Sequence, residues 1–322
     1  MQIADATIFA DVSESLGIGN PAIVEKDYYV VQLLQLLIGF NCPHHDMVFA
    51  GGTALAKANI KLQRMSEDVD IKLVTRTSAE QESKSAMRKH RKAIRDDLIA
   101  MLNGTNVFSV NSDNVISRDE NRYIEIPVEY RQHFTIAPCL RPFIKLELIE
   151  TDLLTNYSPM TISSLHNEAM NEAPEISAFN VVELISTQAE KILSMLRRTA
   201  SVCRDPDRDD DHALVRHIYD TYQLSQAHSF ELAELAGIMA KGIRMDSDRY
   251  GRQHQEFVAA PTNELRYGLN QIGEQGVYKE RYKNFVGPMV YGAQITWEDA
   301  WGVFSSLATE SLDYIDQHNL LG

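Results

Sequence analysis

The sequence has no run of about 18 apolar residues, the minimum for a helix that spans a membrane. Its N-terminal stretch, MQIADATIFADVSESL, also lacks the basic and apolar regions of a secretory signal peptide. These two absences argue against a membrane protein and against secretion. We therefore predict a cytoplasmic protein with no membrane partner.

Cysteine is scarce. The three cysteines, Cys42, Cys139 and Cys203, are far apart and odd in number. They suit a reducing cytoplasm and do not have the spacing of metal ligands.

Several catalytic motifs are missing as well. The chain contains no G-x-x-x-x-G-K-[ST] phosphate loop, no G-x-G-x-x-G after a strand and no G-x-S-x-G nucleophile elbow. It has neither H-E-x-x-H nor paired C-x-x-C motifs, which would indicate zinc. These absences exclude the usual signatures of P-loop NTPases, dinucleotide-binding enzymes, serine hydrolases and zinc enzymes.

The composition is that of a globular protein, with 322 residues, 44% hydrophobic residues and 24% charged residues. The formal net charge is −14. A protein that coats nucleic acid should be basic, because its affinity comes largely from neutralising phosphates. Any contact with RNA must therefore use a local basic patch, and a basic partner protein is the alternative.

The segment MVFAGGTALAKANIKLQRMSEDVDIKL, residues 47–73, carries the clearest chemical pattern. It predicts a strand, a Gly-Gly-Thr turn, a short helix near Thr53–Ile60 and a second strand with Asp68-x-Asp70. Alternate strand residues share a face, so Asp68 and Asp70 lie together and repel unless a cation sits between them. Hard oxygen ligands favour Mg²⁺, and the glycine turn offers N–H groups to phosphates. The segment therefore predicts a site for a nucleotide and a metal.

The alternative reading of this segment is a tight turn beside a solvated acidic edge. Val69, Ile71 and Leu73 argue against it, because they give the strand one buried face and leave the two acids together on the other.

Glu147 is the third candidate carboxylate. Its strand, FIKLELIE, is the next strongly alternating one, so Glu147 could deprotonate an incoming hydroxyl or bind a second metal ion. A surface pair between Lys145 and Glu147 is the alternative, and the pattern alone leaves both open.

The organisation of the chain predicts an α/β part over residues 1–170 and an α-helical part over 171–322. The first forty residues have helical periodicity, and NRYIEIPVEYR, with a break at Pro127, and LRPFIKLELIE are extended. Helical character begins near Asn180, which with Glu183 resembles a capping box. We expect loops at MDSDRYGRQ and GEQGVYKERYKN.

The helical part contains four further candidates. Lys191 is either a solvated flank of its helix or a cation that neutralises phosphate charge, assisted by Arg197 and Arg198. Arg216 and Asp220 are four residues apart, which often means only a local salt bridge. The functional alternative is that Asp220 orients Lys191 or the nucleotide. His217 is more readily a structural histidine than a catalyst.

Two basic clusters are candidates for contact with RNA. The first, on a predicted helix, comprises Lys84, Arg88, Arg91, Lys92 and Arg95. The second lies in the predicted loops and comprises Arg244, Arg249, Arg252, Lys279, Arg281 and Lys283, interleaved with Tyr250, Tyr278 and Tyr282. These tyrosines would stack on unpaired bases. For the first cluster, the alternative is that its basic residues only make that face of the helix soluble.

Five sequence blocks together resemble the AbiEii/AbiGii-type nucleotidyltransferase toxins, a family that includes the MenT toxins. The blocks are Glu25-Lys26-Asp27-Tyr28, Phe49-Ala50-Gly51-Gly52-Thr53-Ala54-Leu55, Arg64-Met65-Ser66-Glu67-Asp68-Val69-Asp70, Glu190-Lys191 and Arg216-His217-Ile218-Tyr219-Asp220. The second and third blocks are quite specific as a pair. The last hundred residues carry no matching motif.

The resemblance implies an α+β fold, with a polymerase-β-like nucleotidyltransferase core and a mixed sheet followed by an α-helical C-terminal domain that completes the nucleotide site. It implies a toxin of a type IV-style toxin–antitoxin or abortive-infection system, with a cognate antitoxin as partner. Such a toxin transfers nucleotides from an NTP to RNA, notably the tRNA 3′ end, and blocks translation. The expected ion is Mg²⁺, with Mn²⁺ as a substitute.

The resemblance also implies roles for individual residues. Gly52 and Thr53 would hold the triphosphate, and Ser66 would support the site. Asp68 and Asp70 would bind the metal, Lys191 would contact phosphates, and Asp220 would be the remaining essential acid. We also expect Gly51, Lys57 and Arg216 to bind nucleotide. Thr53 stands where the superfamily usually has Ser, and Glu147 stands where a third metal acid is more commonly Asp.

Two rival functions follow from the same residues. One is an NTP-binding toxin or interaction protein without transfer activity. The other is an enzyme that nucleotidylates or phosphorylates a protein hydroxyl, for which a chain of charge −14 would suit a basic target.

Overall fold

The computed structural model describes residues 5–57, 60, 62–136 and 140–322, with residue 285 described by its backbone. Three parts of the predictions therefore lie outside the described residues. They are residues 1–4 of the N-terminal stretch, residues 58 and 59 of the predicted helix, and Cys139. The chain divides into two compact units. The first comprises Met1–Asn59 and Met65–Val182, and the second comprises Ile60–Arg64 and Glu183–Gly322.

The first unit contains a mixed β-sheet in the order β3-β5-β6-β2-β1-β8-β7, with β4 paired to β5. The strands are β1 His45–Ala50, β2 Asp68–Thr75, β3 Phe108–Ser109, β4 Ile116–Arg118, β5 Tyr123–Tyr130, β6 Ile144–Glu150, β7 Tyr157–Ile162 and β8 Ile176–Val182. The sheet is mixed because β2 runs parallel to β6 and antiparallel to β1. The predicted α+β fold with a mixed sheet is confirmed.

The two extended segments predicted from alternation form neighbouring antiparallel strands, β5 and β6. The break expected at Pro127 is wrong, since Pro127 lies within β5 and pairs in register with Lys145. Buried residues alternate along both strands, which fits a sheet with one face in the core.

Helices of the first unit flank this sheet. They are α1 Ala6–Ser15, α2 Pro21–Ile38, α3 Gly51–Lys57, α4 Lys84–Asn103 and α5 Leu165–Met170, with short 3₁₀ turns at Thr77–Ala79 and Ser112–Asn114. Asn20 caps α2 through its side chain, and Pro21 occupies the first helical position, where its missing N–H costs nothing. The helical start predicted from periodicity is confirmed for α1 and α2.

Helical character begins later than predicted. Asn180 lies in β8 opposite Pro159, and the next helix begins at Leu184 with Glu183 as its N-cap residue. No side-chain hydrogen bond caps that helix at Glu183, so the predicted capping box is wrong. β8 belongs to the sheet because it pairs with both β1 and β7, and the first compact unit accordingly extends to Val182.

The second unit is helical in its described elements. They are α6 Leu184–Arg204, α7 Arg216–Ala227, α8 Leu232–Tyr250, α9 Gln255–Ala259, α10 Pro261–Glu274, α11 Gly276–Met289 and α12 Trp297–Gln317, with a 3₁₀ turn at His212–Val215. α10 lies close against α6, since a Cβ added at Gly268 would meet the carbonyl oxygen of Leu196 at 2.2 Å. Across the described helices of both units, none is long and apolar enough to cross a bilayer.

Both loops predicted in this unit are largely helical. Met245–Tyr250 is the last part of α8, and most of GEQGVYKERYKN falls in α11. Charged and tyrosine side chains made these segments resemble loops. In the structure, however, Tyr278 and Tyr282 are buried, so α11 has an apolar face that the dense charge pattern concealed.

Candidate active site and a buried ionic cluster

The turn from β1 into α3 lies directly against the carboxylate of Asp70. Gly51, which follows Ala50 at the end of β1, has a φ of +76°, a conformation that L side chains rarely adopt. A Cβ at this position would also lie 1.8 Å from Oδ2 of Asp70. Glycine is therefore required at position 51 both by backbone conformation and by space.

Thr53 fastens α3 to the strand that carries the aspartates. Its buried hydroxyl donates a hydrogen bond to the backbone carbonyl of Asp68 and lies 3.0 Å from the hydroxyl of Ser66. Thr53 and Ser66 thus contact each other and hold α3 against the start of β2. A contact between Thr53 and a phosphate would have to come from its backbone N–H.

Three carboxyl groups meet on β2 and β6. Asp68 and Asp70 lie two residues apart on β2, and the parallel register places Glu147 of β6 directly beside Asp70. The same register places Lys145 beside Asp68. The neighbouring strand predicted for Glu147 is confirmed, and so is its contact with Lys145, whose ammonium lies 3.0 Å from the Glu147 carboxylate.

The carboxyl groups of Asp70 and Glu147 have opposite pKa shifts. Burial, together with the negative charges of Glu147 and Asp68, raises the pKa of Asp70 well above its ordinary value. Burial works against ionisation of Glu147 too, but the Lys145 charge and hydrogen bonds from Asp70, Tyr123 and Lys145 lower its pKa. These opposite shifts favour the proton on Asp70 and the negative charge on Glu147.

Tyr123 completes the surroundings of Glu147. Its hydroxyl lies 2.6 Å from Oε1 of Glu147 and 2.7 Å from Oε2 of Glu125. Burial and these two carboxylates raise the pKa of Tyr123 above its ordinary value, so the phenol keeps its proton. Tyr123 was part of an alternating strand, but nothing in the sequence marked it as a partner of Glu147.

Asp68 has two basic neighbours. Nη1 of Arg141 lies 2.5 Å from Oδ1 of Asp68 and 3.2 Å from the carboxylate of Glu67, and the Lys145 ammonium lies 3.8 Å from Asp68. Arg141 is separated from Asp68 by 73 residues, and no motif pointed to it. These cations offset part of the negative charge of the three carboxyl groups.

The Glu25-Lys26-Asp27 block of α2 binds to the elements that carry the site. The buried ammonium of Lys26 pairs with Glu67, the residue before Asp68. Asp27 pairs with Lys57, the last residue of α3, at 2.5 Å. The charge of Lys57 is therefore already matched within the protein, and its role in nucleotide binding stays a prediction.

The donor set fits a hard divalent cation. Asp68, Asp70 and Glu147 offer only carboxylate oxygens on two adjacent strands, and such oxygens are the preferred ligands of Mg²⁺ and Mn²⁺. The parallel register places Asp70 and Glu147 side by side, and a bound cation would offset the repulsion between their carboxylates.

In the second unit, Asp220 is the centre of a buried ionic cluster. Its carboxylate accepts hydrogen bonds from Nε and Nη2 of Arg64 at 2.6 and 2.7 Å, and from the ammonium of Lys191 at 2.5 Å. All three residues are buried. The interpretation of Lys191 as a solvated flank is therefore wrong, and Asp220 does hold Lys191 in position.

The charges of this cluster shift its pKa values. Burial opposes ionisation of Asp220, but Arg64 and Lys191 outweigh it and lower the pKa of that carboxyl. Burial lowers the pKa of Lys191, and the charge of Asp220 opposes the shift. Desolvation and the positive charge of Lys191 hold the pKa of His217 well below its usual range, so its imidazole is neutral at pH 7.

Arg64 is the partner that sequence reasoning missed. It lies within the Arg-x-Ser-Glu-Asp-x-Asp block, which drew attention to its carboxylates alone. Arg216 donates from Nε to the carbonyl oxygen of Ala213, and its role in nucleotide binding stays a prediction.

Both basic clusters proposed for RNA lose members. On α4, Arg91 is buried and binds the carboxylate of Glu150 at 2.9 Å, so it is no free phosphate contact. In the second cluster, Tyr278 and Tyr282 are buried and cannot stack on bases. Arg281 binds Asp210 at 2.5 Å. These parts of the two predictions are wrong, because long-range acidic and apolar partners cover side chains that the local pattern exposes.

Comparison with known proteins gives matches to nucleotidyltransferase toxins. Residues 35–303 match the family described as "Nucleotidyl transferase AbiEii toxin, Type IV TA system". Among solved structures, the chain is similar to the nucleotidyltransferase toxin MenT4 from Mycobacterium tuberculosis H37Rv, with a TM-score of 0.61 and 14% sequence identity. That similarity covers 99% of this chain and 94% of the other. Comparison with curated proteins gives no match.

Proposed function

The chain belongs to the AbiEii nucleotidyltransferase toxin family, and from this premise we propose that it transfers nucleotides from a Mg²⁺-bound NTP to an RNA 3′-hydroxyl. The family uses an NTP and a divalent metal ion. The observation that carries the proposal is the group of three carboxyl groups on β2 and β6 beside the Gly51 turn. The tRNA 3′ end is the first candidate acceptor, because its modification would block translation.

Asp68 and Asp70 would hold the metal ion, with Glu147 as the third carboxylate. When bound, Mg²⁺ would neutralise charge on the triphosphate and on the departing pyrophosphate. Gly52 and the backbone of Thr53 would bind phosphate oxygens.

The reaction forms a phosphoester bond and breaks a phosphoanhydride bond. The oxygen of the acceptor hydroxyl attacks the α-phosphorus, the bond from the α-phosphorus to the bridging oxygen of the β-phosphate breaks, and pyrophosphate leaves. Glu147 is the proposed acceptor of the hydroxyl proton, because the register places its carboxyl group directly beside Asp70. Lys145 and Tyr123 hold that carboxylate in place.

The cluster of the second unit has a proposed role of its own. Lys191 is the candidate cation for phosphate charge, and Asp220 fixes the position of its ammonium through the contact at 2.5 Å. Arg64 binds both oxygens of the Asp220 carboxylate and favours its ionised form. Loss of Asp220 would therefore displace Lys191 as well as remove a charge.

The biological setting proposed from the family is a toxin held in check by a cognate antitoxin in the cytoplasm. A toxin that modifies tRNA would stop growth, so its activity must be neutralised when the host is healthy. Substrate NTP, acceptor RNA and antitoxin are then the three partners of the chain.

The test is incubation of the purified protein with each α-labelled NTP in turn, Mg²⁺ and total RNA, followed by gel analysis. We expect label on small RNA, lost in Asp68→Asn and Asp70→Asn and retained in Asp113→Asn. Asp113 is a suitable control because it is an exposed acid in a 3₁₀ turn, far along the chain from the carboxyl cluster.

Two outcomes of this experiment would favour the rival functions. Label on protein would show a protein-modifying enzyme, and saturable NTP binding without product would show a nucleotide-binding toxin. Either result contradicts transfer to RNA. Growth inhibition on expression, measured for the same variants, connects the chemistry to toxicity: full toxicity of an Asp68→Asn/Asp70→Asn double variant would overturn it.

A further inference from the structure

A second cluster of metal-binding side chains lies in the first unit, outside the carboxyl group on β2 and β6. His44, Glu82 and His90 each offer one ligand atom, and these atoms all lie within 4.8 Å of one another. The residues come from three separate places: the loop before β1, the loop before α4, and α4 itself. The fold thus brings the imidazole of His44 to the carboxylate of Glu82 and the imidazole of His90, which lie much later in the sequence.

The contacts within the cluster are close. Nε2 of His90 lies 3.3 Å from the carboxylate of Glu82, and Nδ1 of His44 lies 3.8 Å from it. The two imidazole rings stack with their centroids 3.6 Å apart. Zinc holds its nitrogen and oxygen ligands at about 2.0–2.2 Å, so the three donors would close around the ion on binding.

The chain neighbours of the three residues are fixed, which holds the cluster in place. His45 and Arg91, which follow His44 and His90, both bind the carboxylate of Glu150 at 2.9 Å. One partly buried acid therefore positions the backbone on both sides.

Glu82 is held by its surroundings as well. It is followed by Ser83, whose hydroxyl caps α4 by accepting a hydrogen bond from the N–H of Ala86. The backbone N–H of Glu82 donates to the carbonyl oxygen of Ala79.

The donor chemistry selects the class of metal. Imidazole nitrogen suits Zn²⁺ and related transition metals, whereas Mg²⁺ prefers oxygen ligands alone. Each of the three side chains keeps between a quarter and about a third of its surface exposed, at 27%, 34% and 29% for His44, Glu82 and His90. The cluster is thus accessible to a metal ion from solvent, and water would be the fourth ligand of a tetrahedral site.

This cluster is separate from the proposed catalytic carboxylates. His45 and Ala50 are the two ends of β1, and Ala50 pairs with Asp70. At about 3.3 Å per residue the two ends of β1 lie about 17 Å apart. A metal bound by His44 would therefore lie at the far end of the strand from Asp70, too distant to take part in the same chemistry.

We propose that His44, Glu82 and His90 form a zinc site that ties the loop before β1 to the start of α4. The metal would act as a cross-link between segments distant in sequence, and binding would stabilise the first unit. The proposal is independent of the transfer reaction and does not use its residues.

The test is titration of the metal-free full-length protein with Zn²⁺ in excess Mg²⁺, read by competition with a chromophoric chelator. Magnesium occupies all-oxygen sites and leaves the imidazole site to zinc. We expect one Zn²⁺ per chain for the wild type and for His212→Ala, an exposed histidine elsewhere. We expect loss of this binding in His44→Ala/His90→Ala.

Thermal unfolding gives a second readout, because a metal that binds only the folded chain raises its midpoint. Zinc should raise the midpoint of the wild type and leave that of the double variant unchanged. Glu82→Gln, which preserves size, keeps the test valid if the double variant fails to fold, and it should weaken zinc binding at least tenfold. Zinc binding by His44→Ala/His90→Ala or Glu82→Gln that equals that of the wild type, or no zinc binding by the wild type, would overturn the proposal.

Discussion

Gly51 and Asp70 are in contact across the junction of β1 and β2, with no space for a side chain between them. The first prediction concerns this contact. Gly51→Ala should displace the Asp70 carboxylate and reduce NTP transfer by about 100-fold, as a misplacement of about 1 Å does in other enzymes. Steady-state assays with labelled NTP measure the loss.

A glycine in open space provides the control for this substitution. Gly237 lies in α8 with no atom within 4 Å of an added Cβ. Gly237→Ala should keep full activity and gain up to about 1 kcal/mol of stability, because alanine favours the helix. Equal activity of Gly51→Ala and Gly237→Ala would show that the contact with Asp70 has no catalytic consequence.

The second prediction concerns the buried cluster of Asp220, Arg64 and Lys191. Asp220→Asn leaves two buried cations without their counter-ion and should lower the free energy of unfolding by about 3–5 kcal/mol. Lys191→Met leaves Asp220 bound to Arg64 through two hydrogen bonds, so it should cost only about 1–3 kcal/mol. Urea unfolding at pH 7 measures the free energy of unfolding of both variants. A larger decrease for Lys191→Met than for Asp220→Asn would contradict the prediction.

The third prediction is a pH dependence of the same cluster. The pKa of Asp220 is lowered by Arg64 and Lys191 from an ordinary value of 3.8, against the effect of burial. A carboxyl group with a lowered pKa contributes stability that is complete above its unfolded pKa and declines as pH falls toward the folded pKa.

The wild type and Asp220→Asn should therefore differ in unfolding free energy by a constant amount above pH 5. The difference should narrow progressively once the pH falls below 3.8. Urea unfolding from pH 7 down to pH 3 follows it, and Asp113→Asn should match the wild type throughout. A gap that widens in acid would refute the assignment.

The fourth prediction concerns Tyr123. Its hydroxyl lies between the carboxylates of Glu147 and Glu125, so Tyr123→Phe removes a donor and leaves two acids to repel each other. We expect a loss of about 1–2 kcal/mol in unfolding free energy. In Tyr157→Phe the lost contact is an exposed one of 3.5 Å to Asp46, and the change should stay within about 0.5 kcal/mol. Chemical denaturation compares the two variants, and similar losses would rule out a special role for the Tyr123 hydroxyl.

Local patterns predicted the elements that carry the carboxylates. Alternation along β2 placed Asp68 and Asp70 on one face, and the strand containing Glu147 was recognised from the same signal. These predictions succeeded because the residues that decide them lie within a few positions of one another. The glycine at the start of α3 belongs to the same class, since φ above zero at Gly51 is a local requirement.

Contacts distant in sequence could not be predicted in the same way. Arg64 and Asp220 are separated by 156 residues. Arg91 pairs with Glu150, which lies 59 residues away in the sequence. The dense charged residues of α11 suggested a loop. The burial of its tyrosines depends on packing against other helices, which a local sequence pattern does not reveal. Asn180 resembled a cap because its pairing partner, Pro159, belongs to another strand.

Five residues of the chain, Ile60–Arg64, belong to the helical unit although the segments on both sides belong to the sheet unit. Neither unit is therefore a single stretch of the sequence. A fragment beginning at Glu183 would contain Asp220 and Lys191 but would lack Arg64, which donates two hydrogen bonds to the Asp220 carboxylate. Expressing the helical unit alone would demand that this short segment be supplied as well, and limited proteolysis between the units would not release either one intact.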